Sequence, residues 1–253
     1  MIPKIIHYCW FGRNPLTDEA IKCIHSWKKY CPDYKIIEWN EDNYDICSCD
    51  YVKEAYEKKK WAFVSDYARF DILYKYGGLY FDTDVELIRS IDDLVEKSPF
   101  MGCEQAKGKG PLVVAAGLGL AASPGLGLYK EIIDDYRTSH FDYNEKTKMA
   151  TTVVERVTNI LKRHGYEEKN RIQMIDGITI YPWEYFGPMN YYTGIVTITE
   201  NTRSIHHYSM SWKTEEEIKL KKYERQFRKI FGNIIGFFLF RCYRFLYKKI
   251  KKL

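Results

Sequence analysis

A chain of 253 residues, 45% hydrophobic and 29% charged, has the composition of a globular protein with one large core or two small ones, which excludes a disordered or fibrous chain. The net charge of +5 is unevenly placed: residues 219–253 hold 12 Lys and Arg against one acid, Glu224, leaving 27 bases against 33 acids in residues 1–218. An acidic body with a basic end argues against a nucleic-acid-binding protein.

The first strand is expected at "KIIHYCW" (Lys4–Trp10), a short apolar run of the kind that is buried on both faces. A helix follows, with Ala20, Ile21, Ile24 and Trp27 at helical spacing and Pro32 as its stop. "YKIIEWN" (Tyr34–Asn40) reads as a second strand, and this β-α-β opening predicts a parallel sheet covered by helices. "KKWAFVSDYARFDILYKYGG" predicts a helix stopped by Gly77-Gly78, and "LYFD" a strand leading into Asp-Thr-Asp. Further apolar runs lie at "FMGCE" and "LVVAAGLGLAAS", with helices over roughly 124–137 and 148–164. Late strands are expected in "GITIYPWEYF", "IVTIT" and "RSIHHYS", and a last helix begins near Thr214 and runs into the basic end.

Two segments follow from this reading: an α/β body over 1–213 and a basic amphipathic C-terminal helix over 214–253. Its apolar stretch Ile230–Phe240 has 11 residues, interrupted by Asn233, against the ~20 that a spanning helix needs. Lys and Arg flank its aromatics, the composition of a helix lying in an anionic membrane interface. The seven cysteines are odd in number with no CxxC pair, and Cys47-Ser48-Cys49 is too tight for a usual zinc knuckle, so reduced thiols are expected. "MIPKIIHYCWFG" lacks the basic start and long apolar run of a secretion leader. A cytoplasmic protein held at the inner face of the membrane is the expectation.

The segment "YGGLYFDTDVELI" carries the chemistry. Strand alternation would send Asp82 and Asp84 to one side and Thr83 to the other. Two carboxylates together repel and call for a compensating charge. They offer hard oxygen ligands to Mn²⁺ or Mg²⁺, with positions left for phosphates or water. Upstream, Asp66 and Arg69 are three residues apart and share a helix face; as an isolated pair they are equally a structural ion pair. An aspartyl phosphatase also ends a strand in DxD, but the position where it carries Thr or Val is Glu86 here, and no "K…GDxxxD"-like segment follows.

"IPKIIHYCWFG", "SDYARFDILYKYGGLYFDTDV" and "SIHHYSMSW" together resemble glycosyltransferase family 32, and more distantly the glucosyltransferase domain of clostridial toxins. The resemblance covers about residues 2–90 and, more loosely, 172–213. It implies a GT-A fold, a Rossmann-like α/β sheet with the DxD at its carboxyl edge, and a divalent metal, Mn²⁺ or Mg²⁺. The implied activity is retaining transfer of a sugar from a nucleotide-sugar donor to a saccharide or lipid-linked saccharide acceptor, as in capsular polysaccharide synthesis. Carried over residue by residue, Trp10 matches the aromatic that stacks on uracil, which favours a UDP-sugar. Asp66 and Arg69 match the pair contacting the donor's sugar and diphosphate, and Tyr80 an aromatic beside the diphosphate. Asp82 and Asp84 match the DxD, and Ser211 and Trp212 an element closing over the donor. His207 resembles the late histidine of the metal shell, with His206 as its competitor.

The sequence departs from the pattern at Ala116-Gly117 and at "MATTVVERV" (Met149–Val157), where acceptor-side elements are expected. A toxin-like enzyme that modifies protein, or a nucleotide-sugar-binding module without activity, are the alternatives.

Overall fold

The structure, a computed structural model, describes residues 1–106, 110–142, 150–210 and 214–250. The α/β class expected from the sequence is what forms. Strands β1 (Ile5–Cys9), β2 (Lys35–Trp39), β3 (Gly78–Tyr80), β5 (Phe100–Gln105), β6 (Leu112–Val114), β7 (Leu120–Ala122), β8 (Gln173–Ile175) and β9 (Ile178–Tyr181) make one sheet. Its order is β2-β1-β3-β7-β5-β9-β8, with β6 paired to the outer half of β5. β1 is parallel to β2 and β3, β7 is antiparallel to both β3 and β5, and β9 is parallel to β5. Thus β1, β3, β5 and β9 all end at the same edge.

Helix α1 (Asp18–Tyr30) starts where Thr17 Oγ1 accepts the Ala20 N–H. It grips the short strand β4 (Val85–Leu87): the Trp27 indole donates to Val85 O (2.7 Å) and Leu87 N donates to Ser26 Oγ (2.9 Å). Helix α3 (Trp61–Tyr76) is buried almost continuously from Val64 to Leu73, because the sheet lies on one side and α5 (Gly127–Arg137) packs on another, with Phe70 and Tyr129 rings 5.2 Å apart. Gly77 (φ 65°) and Gly78 (φ 94°) turn α3 into β3. A Cβ on Gly78 would stand 2.7 Å from Ile5 O, so the tight return onto β1 requires glycine. Helix α6 (Val153–Arg163) covers β6, with Val114 N donating to Thr158 Oγ1.

Four details differ from the sequence reading. β3 ends at Tyr80, so Asp82 to Asp84 form a turn, not strand: Val85 N donates to Asp82 O (3.0 Å). Helices α2 (Asp50–Glu57) and α4 (Asp92–Val95) were not foreseen. "IVTIT" makes an isolated bridge, Met189 to Val196, where turns at Asn190 and Gly194 curl the backbone away. The C-terminal helix is two, α8 (Glu215–Phe231) and α9 (Asn233–Ile250), because Gly232 turns the chain at φ 79°. They pack as a hairpin through Phe227, Phe240 and Tyr243, and Gly236 permits the close crossing, since a Cβ there would lie 2.4 Å from Phe227 O.

Candidate active site

The Asp-Thr-Asp turn sits at the carboxyl edge of β3. Strand β10 (Ser204–His206) pairs antiparallel with β4 immediately after that turn, placing His206 opposite Val85. A second link follows, from His207 N to Asp84 O (2.9 Å). Two segments more than a hundred residues apart in sequence are thereby held at one point.

Each carboxylate has its own protein cation. Arg69 Nη2 lies 2.8 Å from Asp66 Oδ1 and 3.3 Å from Asp82 Oδ1, and Arg69 Nε donates to Ser65 O (3.0 Å). The pair on the helix is therefore extended to the DxD turn. Arg69 is 3% exposed; burial works against its charge, but Asp82, Tyr80 and Asp66 more than offset it and raise its pKa. Burial pushes the Asp66 carboxyl up to about 7, against the pull of Arg69. On the other side, His206 Nε2 stands 3.1 Å from Asp84 Oδ1, while Asp84 Oδ2 accepts both Ser209 N and Ser209 Oγ at 2.9 Å. Burial opposes the Asp84 charge, yet His206 and Ser209 hold this carboxyl well below the usual range. Burial also opposes a charged His206, but Asp84, Asp82 and Glu104 lift it to about 9.

Among the described residues, the group whose ligand atoms lie within 4.8 Å of one another is Asp82, Asp84 and His206. Two carboxylates and an imidazole are a donor set that suits Mn²⁺, and His206 Nδ1, buried, has no hydrogen-bond partner. The residues fit a divalent ion. His207, placed ahead of His206 in the sequence reading, points elsewhere: its Nε2 is 2.8 Å from Glu86 Oε2. The register of β10 against β4 decides between the two, and that register is not written in the local sequence.

Tyr80 lies beneath the carboxylates and Arg69. It is 1% exposed, donates to Asp82 Oδ1 (3.1 Å), and carries the Arg69 guanidinium 4.9 Å above its ring. Trp10 follows β1 at the same edge, half-buried, with its indole N–H donating to Asn14 O. Ser211 and Trp212 lie outside the described residues. Sequence reasoning missed Ser209, and also Tyr208, which donates to the half-buried Glu104 (2.9 Å) and packs 4.2 Å from the His206 ring. Nothing in "HHYSM" alone marks them.

Residues 17–101 match the family described as glycosyltransferase sugar-binding region containing DXD motif. This stretch, a third of the chain, is similar to a DXD sugar-binding region. Within it lie Asp66, Arg69, Tyr80, Asp82 and Asp84; His206 joins the DXD region from outside. The chain is similar to inositol phosphoceramide mannosyltransferase 3 of Schizosaccharomyces pombe, 32% identical over 98 residues, or 37% of this chain and 27% of the relative. Mannosyltransferase 1 of the same organism is 28% identical over 111 residues, 40% of this chain and 33% of the relative. The match takes in about a third or less of either relative's length. Similar solved structures include PaToxG glycosyltransferase (18% identity, TM-score 0.47, 64% of this chain and 69% of that one). A glycosyltransferase that acts in glycosylation of the major capsid of PBCV-1 gives 11%, 0.45, 87% and 99%. The galactosyltransferase LgtC in complex with donor and acceptor sugar analogs gives 12%, 0.44, 86% and 94%.

Proposed function

We propose that this chain is a metal-dependent, retaining glycosyltransferase of GT-A architecture, moving a sugar from a nucleotide-sugar donor to a saccharide acceptor in surface polysaccharide synthesis. The observation that carries the reading is the cluster Asp82, Asp84 and His206 at the carboxyl edge of β3, with Arg69 beside it. Ligands of α/β sheets bind at that edge. A UDP-sugar is favoured because Trp10 follows β1, the strand beside β3, at the same edge as the turn, where a base can stack.

Asp82, Asp84 and His206 would hold Mn²⁺ or Mg²⁺. A divalent ion there supplies positive charge against a departing diphosphate. Arg69, fixed by Ser65, Asp66 and Asp82, offers a second cation that needs no reorganisation. Asp66, one edge of which remains 12% exposed, accepts hydrogen bonds from sugar hydroxyls. Ser209 orients Asp84 through two hydrogen bonds, and Tyr80 orients Asp82 through one. The acceptor hydroxyl attacks from the face the diphosphate leaves, and no side chain forms a covalent intermediate.

The α8–α9 hairpin is the proposed contact with the inner face of an anionic membrane, and the acceptor is lipid-linked. No described helix is long and apolar enough to cross a membrane. Ile234 (86% exposed), Phe238 (67%) and Phe245 (69%) stand in water, interleaved with exposed Lys229, Arg241 and Arg244. Its one acid after residue 218, Glu224, is neutralised by Lys221 and Arg228.

The test is sugar release from a panel of nucleotide sugars with Mn²⁺, before and after chelation, in the native chain and in Asp84→Ala. Metal-dependent release that Asp84→Ala lacks is expected. Equal release in chelator, or in the variant, sinks the reading.

A further inference from the structure

Between α7 (Trp183–Phe186) and β10 the chain makes a tight, well-anchored turn. Gly194 N donates to Asn190 O (2.8 Å), Asn190 N to Ile195 O (2.8 Å), and the Asn190 side chain accepts from Tyr192 N and Thr193 N, both at 3.0 Å. Thr197 N donates to Pro188 O (3.0 Å). Residues 195–198 are nonetheless all exposed, and three of them are aliphatic: Ile195 is 47% exposed, Val196 36% and Ile198 48%. In a half-buried strand, alternation would hide one face of such a run. Here both faces are open, and consecutive exposed aliphatic residues on an ordered turn mark a contact surface.

The turn is joined to the α8–α9 hairpin. Arg225 Nε donates to Tyr191 O (3.1 Å). The Arg228 guanidinium lies between the Tyr192 ring of the turn (5.0 Å) and the Phe237 ring of α9 (4.4 Å), and is itself buried and paired with Glu224. Turn and hairpin therefore meet across a sealed cation.

Charge selects what covers them. Residues 187–199 carry no charged side chain. On one flank the exposed Arg89 donates to Thr199 O (3.1 Å) and to the backbone of Glu200, the exposed acid that follows the run. On the other flank stand the hairpin's exposed Lys229, Arg241 and Arg244. A neutral aliphatic tip within a basic surround matches an anionic bilayer, which offers hydrocarbon to the tip and phosphates to the rim.

We infer that the 195–198 turn inserts into an anionic membrane beside the hairpin, a second contact that rests on the hairpin reading above. Two contacts fix an orientation that a helix pair alone leaves free to roll. Tyr191, inside the turn, packs 5.3 Å from Tyr208, whose ring lies 4.2 Å from that of His206. The metal cluster is then two ring contacts from the turn that enters the bilayer.

The experiment uses the full chain and vesicles of phosphatidylserine and phosphatidylcholine carrying doxyl-labelled lipid. Cys47→Ser, Cys49→Ser and Cys242→Ser remove the thiols that are not buried. A single NBD fluorophore is then attached through Ile198→Cys, through Phe238→Cys in the hairpin, or through Lys29→Cys at the end of α1, on the opposite edge of the sheet. A blue shift with doxyl quenching is expected at 198 and 238, and neither at 29. Ile195→Ser combined with Ile198→Ser should weaken vesicle partition by roughly tenfold or more, the scale of withdrawing two aliphatic side chains from hydrocarbon, with an unchanged melting curve. Quenching at 238 without quenching at 198, or undiminished partition of the double variant, overturns the inference and leaves the hairpin contact standing. A chain that ignores these vesicles sinks both. A blue shift at 198 that grows with protein concentration and needs no vesicle assigns the turn to a second copy of this chain and overturns the inference too.

Discussion

Gly117 and Asp82 occupy one space. Asp82 N donates to Gly117 O (2.9 Å), and a Cβ on Gly117 would stand 1.8 Å from Asp82 Oδ2 and 2.7 Å from its Cγ. The carboxylate lies where any larger residue would put its first side-chain atom. The Ala116-Gly117 segment, which departs from the resembled pattern, is thus part of the DxD site.

Gly117→Ala should therefore evict the Asp82 carboxylate from its place beside Arg69. Sugar-nucleotide turnover should fall by about 100-fold or more, the scale of losing one well-placed electrostatic group. Stability should fall by only about 1–3 kcal/mol, the usual cost of overpacking. Turnover and urea midpoint on the same preparation check this. Undiminished turnover would mean that the position of Asp82 is immaterial.

The adjacent histidines should behave differently. His206→Ala should remove the Mn²⁺-induced rise in melting temperature. His207→Ala loses a contact with Glu86 whose partners are each about a quarter exposed, worth about 1 kcal/mol or less, and should keep the rise. The reverse pattern would assign the metal to His207 and contradict the strand register.

His7 gives a pH dependence remote from the site. Its Nδ1 accepts the Trp39 indole N–H (2.9 Å) and its Nε2 faces Gly77 O (3.0 Å), which fixes a neutral ring with the proton on Nε2. Burial lowers its pKa to about 4, with the Gly77 carbonyl pulling the other way. The unfolded ring titrates near 6.5, so between about 6.5 and 4 the unfolded chain binds the extra proton. Stability is complete above 6.5 and is lost as pH falls to 4, by about 3 kcal/mol. Urea midpoints across this range should slope less in His7→Gln. Parallel slopes would rule out His7 as the source.

Ile234 and Ile235 are 86% and 62% exposed on the hairpin. Burying an aliphatic side chain of this size is worth about 1.5–3 kcal/mol. Replacing both with Ser should therefore weaken partition onto vesicles rich in phosphatidylserine more than tenfold in a sedimentation assay. A native chain that leaves such vesicles unbound would refute membrane contact by the hairpin.

The first ninety residues were the most legible. β1, α1, β2 and α3 announce themselves through continuous apolar runs, helical spacing and the Gly77-Gly78 stop, and the acids of the site are contiguous with them. What the sequence hid depends on long-range pairing. His206 is chosen over His207 by the register of β10 on β4, and Gly117 matters only because Asp82, 35 positions earlier, folds against it. The resemblance places Tyr80 beside the diphosphate; in the fold its buried ring supports Asp82 through a hydrogen bond from its hydroxyl. Asp82 and Asp84 converge through a turn, so the alternation argument reached the right neighbours by the wrong geometry. Gly232 passed as one helical residue among many, although its positive φ divides the C-terminal helix.

The pairing of Arg69 with Asp82, and of His206 with Asp84, bears on what chelation does. Mutual repulsion of the acids is already quenched by side chains belonging to the fold, so architecture and chemistry come apart. Stripping divalent ions should silence the protein while its circular dichroism stays the same, and restoring them should revive it at once, with no refolding lag. On that reading a divalent ion is a reversible setting, independent of whether the chain survives.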